Sequence, residues 1–298
     1  MQPTDEYVRT DDGVRLFVQT LGNGPQVVLI PNRIYLFDAF KAFSGGRTLI
    51  FCDPRNRGCS DQVTDRSKLE RGIHHDVEDL NAIRRHFGVG RVDLIGHSYA
   101  GLMVTLYAMK YPEHVGRVVQ IGSVGPDYAK QYPTHLTNAD ATLGEFLARL
   151  GELQKERQAH DPQEFCRKFW SILRVLYVVD PADADKIEWD TCDLPNELNF
   201  WNQWTEYMLP SIQNLKLSAE DIPNAKAPVL AIHGRKDRSS SYGGGRDWAM
   251  RLPDARLVTV ENAAHVPWIE APDRVFGAIE TFLGGAWPET AEKVESLE

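Results

Sequence analysis

The chain lacks most of the features that would place it outside ordinary globular enzymes. It has only four cysteines in 298 residues, Cys52, Cys59, Cys166 and Cys192, and none forms a C-x-x-C pair of the metal-binding or dithiol type. Reduced thiols are therefore expected, with a Cys166–Cys192 bridge as the alternative because both lie in the middle of the chain. There is no basic excess. Thirty-three Lys and Arg stand against 42 Asp and Glu, a formal charge of -9, and nucleic-acid partners ordinarily leave a basic footprint. No apolar run is long enough to span a bilayer. The opening MQPTDEYVRT has neither the basic nor the apolar region of a signal peptide, so a cytoplasmic location is expected. Internal repeats and low-complexity segments are also missing. The final PETAEKVESLE is polar and is expected to fray.

What remains is a strand and helix alternation. The stretch 14–20 (VRLFVQT) alternates after an Asp-Asp-Gly turn, and 27–30 (VVLI), 48–52 (TLIFC) and 92–95 (VDLI) are short continuous apolar runs. Such runs suit strands covered on both faces, as in a parallel sheet. Helical spacing over 75–87 and 99–110, then a strand over 115–121, continues the pattern of a doubly wound sheet. From about 126 to 223 the chain changes character. Charged and aromatic residues recur at helical spacing, with Trp170, Trp189, Phe200, Trp201 and Trp204 gathered there. Strand, helix, strand and helix then return over 229–233, 246–252, 256–260 and 272–283. The expected division is a core of 1–125 and 224–285, a helical cap of 126–223 and a polar tail of 286–298. The stretch 239–245 (SSSYGGG) reads as loop.

The chemistry-bearing stretch is Gly96-His97-Ser98-Tyr99-Ala100-Gly101, between the VDLI strand and the next helix. A sharp strand-to-helix turn needs small flanking residues and forces its central side chain outward. Serine is a weak nucleophile at neutral pH and needs a base, which in turn needs a carboxylate to fix its tautomer. Asp237 follows the VLAIH strand and His265 follows RLVTV, each at a strand's carboxyl end, where open α/β sheets place their sites. Asp127 and Glu261 are the rival acids. His97 is expected to pack locally, and His74, His75 and His233 to be structural or surface residues.

These motifs, taken together, resemble the α/β-hydrolase superfamily over nearly the full length. Asp53-Pro54-Arg55-Asn56-Arg57-Gly58-Cys59-Ser60 is similar to its D-x-R-G-x-G-x-S loop, Tyr111-Pro112-Glu113-His114-Val115 to its Y-P-E-x-V turn, and 265–272 (HVPWIEAP) to its terminal H-x-P-x-x-E-x-P. The elbow departs from the pattern as G-x-S-x-A. The resemblance implies an α/β-hydrolase fold, a doubly wound mostly parallel sheet with an inserted helical cap, and a serine hydrolase with Ser98, Asp237 and His265 as triad. Its oxyanion hole would take the backbone N–H of Tyr99 and of Arg33, with Ile34 the alternative to Arg33. There, in place of the family's His-Gly, the chain reads Pro31-Asn32-Arg33-Ile34-Tyr35, and the missing glycine puts the loop geometry in question. The Arg33 side chain either enters the pocket, favouring an anionic substrate, or is solvated.

The expected reaction is cleavage of a small-molecule carboxylic ester through an acyl-enzyme, without metal or organic cofactor. Relatives with aspartate at the elbow are dehalogenases and epoxide hydrolases, and Ser98 points away from both. A proline iminopeptidase-like aminopeptidase or amidase is the alternative, with Glu197 and Glu206 as amine anchors. Those enzymes carry H-G-G-P-G where this chain has 31–35 (PNRIY). A non-catalytic ligand-binding homologue is the reading from a different class. Tyr35, Trp201 and Trp204 are candidate pocket residues alongside Glu197, with Tyr207 a further one. Neither nucleic acid nor membrane is expected as partner, and the oligomeric state is left open.

Overall fold

The computed structural model describes residues 2–297 apart from 139, 158–160, 190, 195 and 219, and at 199 the backbone alone. Eight strands form one sheet in the order β1-β2-β4-β3-β5-β6-β7-β8. These are β1 (Thr4–Arg9), β2 (Arg15–Gly22), β3 (Gln26–Pro31), β4 (Arg47–Cys52), β5 (Val92–His97), β6 (Val115–Ile121), β7 (Val229–Gly234) and β8 (Ala255–Val260). The pairs β1–β2 and β2–β4 are antiparallel, and every pairing from β4 onward is parallel. Side chains of a strand point alternately to its two faces. Accordingly Leu29 and Ile50 face one core, which they share with α2 (Ile73–His86) and α3 (Tyr99–Lys110). Val28, Ile30, Leu49 and Phe51 face the other, formed with α1 (Arg33–Phe40) and α10 (Pro272–Leu283). Burial on both faces explains why β3 and β4 are continuous apolar runs rather than alternating ones.

The connection from β3 runs to one side of the sheet and that into β5 to the other, so the order reverses between these two neighbours. Crevices at such reversals are where doubly wound sheets bind ligands. Asn32 and Ser98 sit at that point, immediately after β3 and β5.

Between β6 and β7 lie α4 (Ala141–Lys155), α5 (Pro162–Tyr177) and a run made of α6 (Phe200–Gln203), a π-helical turn (Trp204–Met208) and α7 (Leu209–Gln213). Asp161 caps α5 by accepting the N–H groups of Gln163 and Glu164, with Pro162 in the first turn where its missing N–H costs nothing. Cys166 and Cys192 form a disulfide, so the reduced-thiol expectation fails for that pair and the alternative holds. Cys52 and Cys59 are free. The bridge ties the turn at Cys192 to α5.

Two further expectations are corrected. The 239–245 stretch is not all loop, because α8 (Tyr242–Arg251) begins inside it. Its glycines are demanded by close neighbours. A Cβ on Gly243 would fall 2.5 Å from the Tyr132 ring, one on Gly244 3.0 Å from the Gly125 backbone, and one on Gly245 2.3 Å from His233 Nδ1. The tail does not fray. Leu257 and Glu292 exchange backbone hydrogen bonds of 2.8 and 2.9 Å, Trp287 packs on Phe282, and Val294 is buried beside Leu257. Among the described residues, no helix is long and apolar enough to cross a membrane.

Candidate active site

Ser98 is held at φ 57° and ψ -123°, outside the comfortable regions for an L-residue, at the N-terminus of α3. Close packing fixes that conformation. Ser98 N–H donates to Ile121 O at 2.9 Å, and its own carbonyl accepts from Val124 N at 3.3 Å. A Cβ on Gly96 would fall 2.2 Å from Ala100 O, so glycine is required there, whereas the alanine at position 100 is fully buried and packs. The departure from the usual elbow therefore meets no obstacle.

Asp237 and His265, 28 residues apart in sequence, meet with Nδ1 of the imidazole 2.8 Å from Asp237 Oδ2. Both are fully buried. The other carboxylate oxygen, Oδ1, accepts the backbone N–H groups of Ser239 and Ser240, each at 2.8 Å. Burial alone would raise the Asp237 carboxyl, but the charge of and hydrogen bonds from the facing His265 and His233 imidazoles outweigh it and hold the group well below the usual carboxylate range. The His265 loop is fastened from three sides. Its N–H donates to Tyr177 O at 2.9 Å, Ala264 N–H donates to Glu270 at 2.6 Å, and its carbonyl accepts from His97 Nε2 at 2.9 Å. The His97 and Tyr177 rings pack 4.5 and 4.6 Å from the His265 ring. Nε2 of His265 is buried without a hydrogen bond, so the Ser98 hydroxyl does not engage it in this structure.

The rival acids lie elsewhere. Asp127 is exposed and bonds Ala129 N–H, and Glu261 is exposed beyond β8. His233, read as a structural or surface histidine, is buried with Nε2 3.2 Å from Asp237 Oδ2 and 3.0 Å from Ser240 O. A His four residues before the acid is too common a pattern to have revealed this, because the contact depends on the turn after β7.

The loop after β3 takes the conformation that its missing glycine would have supplied. Asn32 adopts φ 66° and ψ 50°, a left-handed region that asparagine tolerates better than other non-glycine residues. Asn56, where the family loop has its first glycine, does the same at φ 59°. The Arg33 side chain neither enters the pocket nor floats in solvent. It turns back to pair with buried Asp53 through two hydrogen bonds of 3.1 and 2.9 Å and covers the Phe17 ring.

Ser98 opens into a cavity of about 480 Å³ between the carboxyl ends of the strands and the 141–213 helices. Tyr35, Trp201 and Trp204 line it as expected, together with Asn32, Tyr99 and Trp170. Glu197 does not line it. The carboxylate is fully buried and grips Arg57 with two 2.7 Å bonds, while also accepting from Gly58 N–H at 2.9 Å and Tyr35 OH at 3.1 Å. It has no capacity left for an amine. Glu206 is exposed and outside the cavity wall, so the two proposed amine anchors both fail. Tyr207 is likewise no part of that wall, packing instead against the α2–α3 core. Arg57 itself went unremarked in the sequence as a pocket residue. Nothing local distinguishes it from Arg55, which points the other way into Asp79 and Asp12.

A doubly wound sheet with a strained serine turn after one strand, a buried Asp–His pair after two others, and inserted helices is the pattern of a class of hydrolases. The chain belongs to that class as a member of the α/β-hydrolase family: the model of the alpha/beta hydrolase fold matches residues 32–272. It is similar to 2-hydroxymuconate semialdehyde hydrolase of Pseudomonas putida, with 25% identity over 80% of this chain and 78% of the relative. It is also similar to proline iminopeptidase of Saccharolobus solfataricus, with 24% identity over 84% and 80%. Among solved structures, an esterase from Exiguobacterium antarcticum superposes with a TM-score of 0.70 at 15% identity, covering 95% of this chain and 100% of that one. Family membership supports hydrolysis as the activity.

Proposed function

We propose that the protein is a serine hydrolase that cleaves a carboxylic ester of a small molecule through an acyl-enzyme, with residues 1–125 and 224–285 as its core and 126–223 as its cap. The observation that carries this reading is the fully buried Asp237–His265 pair at 2.8 Å, with its outer imidazole nitrogen free, together with a serine held at φ 57° in the cavity wall next to His97, whose ring packs 4.5 Å from that of His265. Ser98 Oγ attacks the ester carbonyl while His265 Nε2 takes its proton. The Ser98–His265 hydrogen bond forms as substrate enters, since such bonds are commonly unmade in empty sites. The oxyanion is met by the N–H groups of Arg33 and Tyr99, which lie at the starts of α1 and α3. His265 returns the proton to the departing alcohol. Water, deprotonated by the same imidazole, then releases the acid. Asp237 fixes the imidazole with its proton on Nδ1 and stabilises the cation formed in each half-reaction.

The peptidase alternative needs an anchor for a substrate ammonium, and Glu197 is consumed by Arg57. The binding-protein alternative is decided by turnover. Hydrolysis of p-nitrophenyl butyrate, with Ser98 labelled by a fluorophosphonate, is the expected result. Both signals should vanish in a folded Ser98→Ala variant. Undiminished hydrolysis in that variant refutes the assignment of Ser98, and absence of labelling and turnover in the wild type favours the binding-protein reading.

A further inference from the structure

Asp237 has more partners than orienting one imidazole requires. A carboxylate presents about four acceptor positions over its two oxygens. Oδ1 fills its pair with the N–H groups of Ser239 and Ser240, both at 2.8 Å. Oδ2 takes Nδ1–H of His265 at 2.8 Å. The remaining position faces Nε2 of His233, 3.2 Å away. That contact completes the set, and the fully buried carboxylate has nothing left to offer water.

A second contact fixes the His233 tautomer. The same Nε2 lies 3.0 Å from the carbonyl oxygen of Ser240, which can only accept, so Nε2 carries a proton. That proton is shared between Ser240 O and Asp237 Oδ2. The ring has no room to turn away from them. It stands edge-on to Tyr242, with centroids 5.9 Å apart and planes at 86°. Gly245 lies so close to the other nitrogen that a Cβ there would fall 2.3 Å from Nδ1. His233 is buried and is no part of the cavity wall, so it can act only through Asp237. Without it, a lone pair of Oδ2 would face a buried space with no donor. The carboxylate would then rotate or draw in water to satisfy that lone pair. Either change takes Oδ2 off the line to His265 Nδ1, and the imidazole loses the partner that orients it and stabilises its cation.

We propose that His233 is a positioning residue for the reaction: its Nε2–H, anchored on Ser240 O, occupies the last acceptor position of Asp237 Oδ2 and keeps that oxygen aimed at His265. The proposal rests on the serine-hydrolase reading of the same site and adds a fourth side chain to its machinery. The electrostatics agree. Burial works to raise the Asp237 carboxyl, yet the charge of His265 and hydrogen bonds from His233 and His265 hold it below the usual carboxylate range.

The test compares His233→Met with His233→Gln in the full-length protein. The two side chains are similar in length and bulk, but only glutamine brings N–H donors for Ser240 O and Asp237 Oδ2. With p-nitrophenyl butyrate, His233→Met should lower kcat about thirtyfold, the size of one hydrogen bond to a charged group, with KM unchanged. His233→Gln should recover most of that loss. Proton NMR near neutral pH gives a readout independent of turnover. The low-field resonance of the His265 Nδ1 proton, assigned by its absence from His265→Ala, should be sharp in wild type and His233→Gln and broadened by exchange in His233→Met. A merely structural role would lower the melting temperature of His233→Met while leaving kcat per folded molecule and this resonance as in wild type, and that result overturns the proposal. Equal loss of kcat in both variants also overturns it, because the effect would then belong to the ring's shape and not to its donor. Should His233→Met not fold, Gly245→Ala displaces the intact ring, and unchanged kcat there overturns the proposal. If any of these happens while wild-type Ser98 still reacts with fluorophosphonate, the serine-hydrolase reading survives; if wild-type Ser98 is inert to the probe and no ester turns over, both fall.

Discussion

Replacing Asp237 with Asn probes the active site more finely than deleting a side chain would. In the native site Oδ1 receives two backbone donors, from Ser239 and Ser240, and Oδ2 faces the ring nitrogens of His265 and His233. An asparagine has one acceptor and one donor end. The two N–H groups of the 237–240 turn can only be satisfied by its carbonyl oxygen, so the amide NH2 must point at His265 Nδ1. That nitrogen then has to accept, the imidazole proton moves to Nε2, and Nε2 can no longer take the serine proton. The same NH2 also opposes His233 Nε2, which cannot flip freely because its ring packs against Gly245. Wrong-tautomer variants of this kind lose roughly 10⁴ in kcat, about 5.4 kcal/mol of barrier at 1.36 kcal/mol per decade. The assay is kcat/KM for p-nitrophenyl butyrate at pH 7 with thermal melts run alongside. A folded Asp237→Asn protein within tenfold of wild type would refute the tautomer argument. If Asp127→Asn were the damaging change instead, the acid would be misassigned.

Other outcomes follow from the same geometry. Glu197→Ala leaves Arg57 charged and buried without its counter-ion, a loss of about 3–5 kcal/mol that should lower Tm by roughly 6–20 °C, whereas the paired Arg57→Met/Glu197→Leu change should recover most of it. Equal melts for Glu197→Ala and wild type would show that the pair is not buried as described. Gly245→Ala places a methyl 2.3 Å from His233 Nδ1 and should lower kcat for the butyrate ester more than Gly144→Ala, at a glycine with open space around it. His75, pushed down to about 4 first by burial and then by Arg55, stays neutral in the fold while an unfolded His protonates near 6.5. Folding stability should therefore be full above pH 6.5 and decline as pH falls toward 4, and His75→Gln should shallow that decline in a series of melts. Unchanged slopes would remove His75 from the account. Reduction of Cys166–Cys192 should lower Tm, because the bridge closes a loop over a sequence separation of 26 and so restricts the unfolded chain, an effect of about 3 kcal/mol for loops of comparable size.

The sheet was legible because its central strands are buried on both faces and so write themselves as unbroken apolar runs. The edge strand β1 was not, since it is exposed at residues such as Asp5 and Tyr7, with only Val8 buried. Ser98, Asp237 and His265 could be picked out because each ends a strand, and strand ends are visible in one dimension. Glu197 and Arg57 could not be paired that way. They lie 140 residues apart, and a glutamate in a helical region gives no sign that it will be buried rather than solvated. The glycines of α8 misled for a related reason. Glycine weakens a helix by about 1 kcal/mol relative to alanine, and only the three-dimensional neighbours at Tyr132, Gly125 and His233 show what that weakness permits. The packed tail carries just a few apolar residues, and Trp287, Ala291, Val294 and Leu297 stand at helical spacing in a stretch that the structure holds by a bridge to β8 and not as a helix.

The contacts joining the inserted helices to the strand ends reach several loops, with Asp140 and Tyr177 held by Arg238 and His265 after β7 and β8. Glu197 to Arg57, Asn196 to Gly58 and Ser60, and Gln203 to Arg55 all land on one short loop, while α4 leans mainly on α5 and leaves Leu147 57% exposed. Leu147 and Tyr128 are exposed and also belong to the cavity wall, so exchanging them alters the cavity's solvent-facing part without touching Ser98, Asp237 or His265.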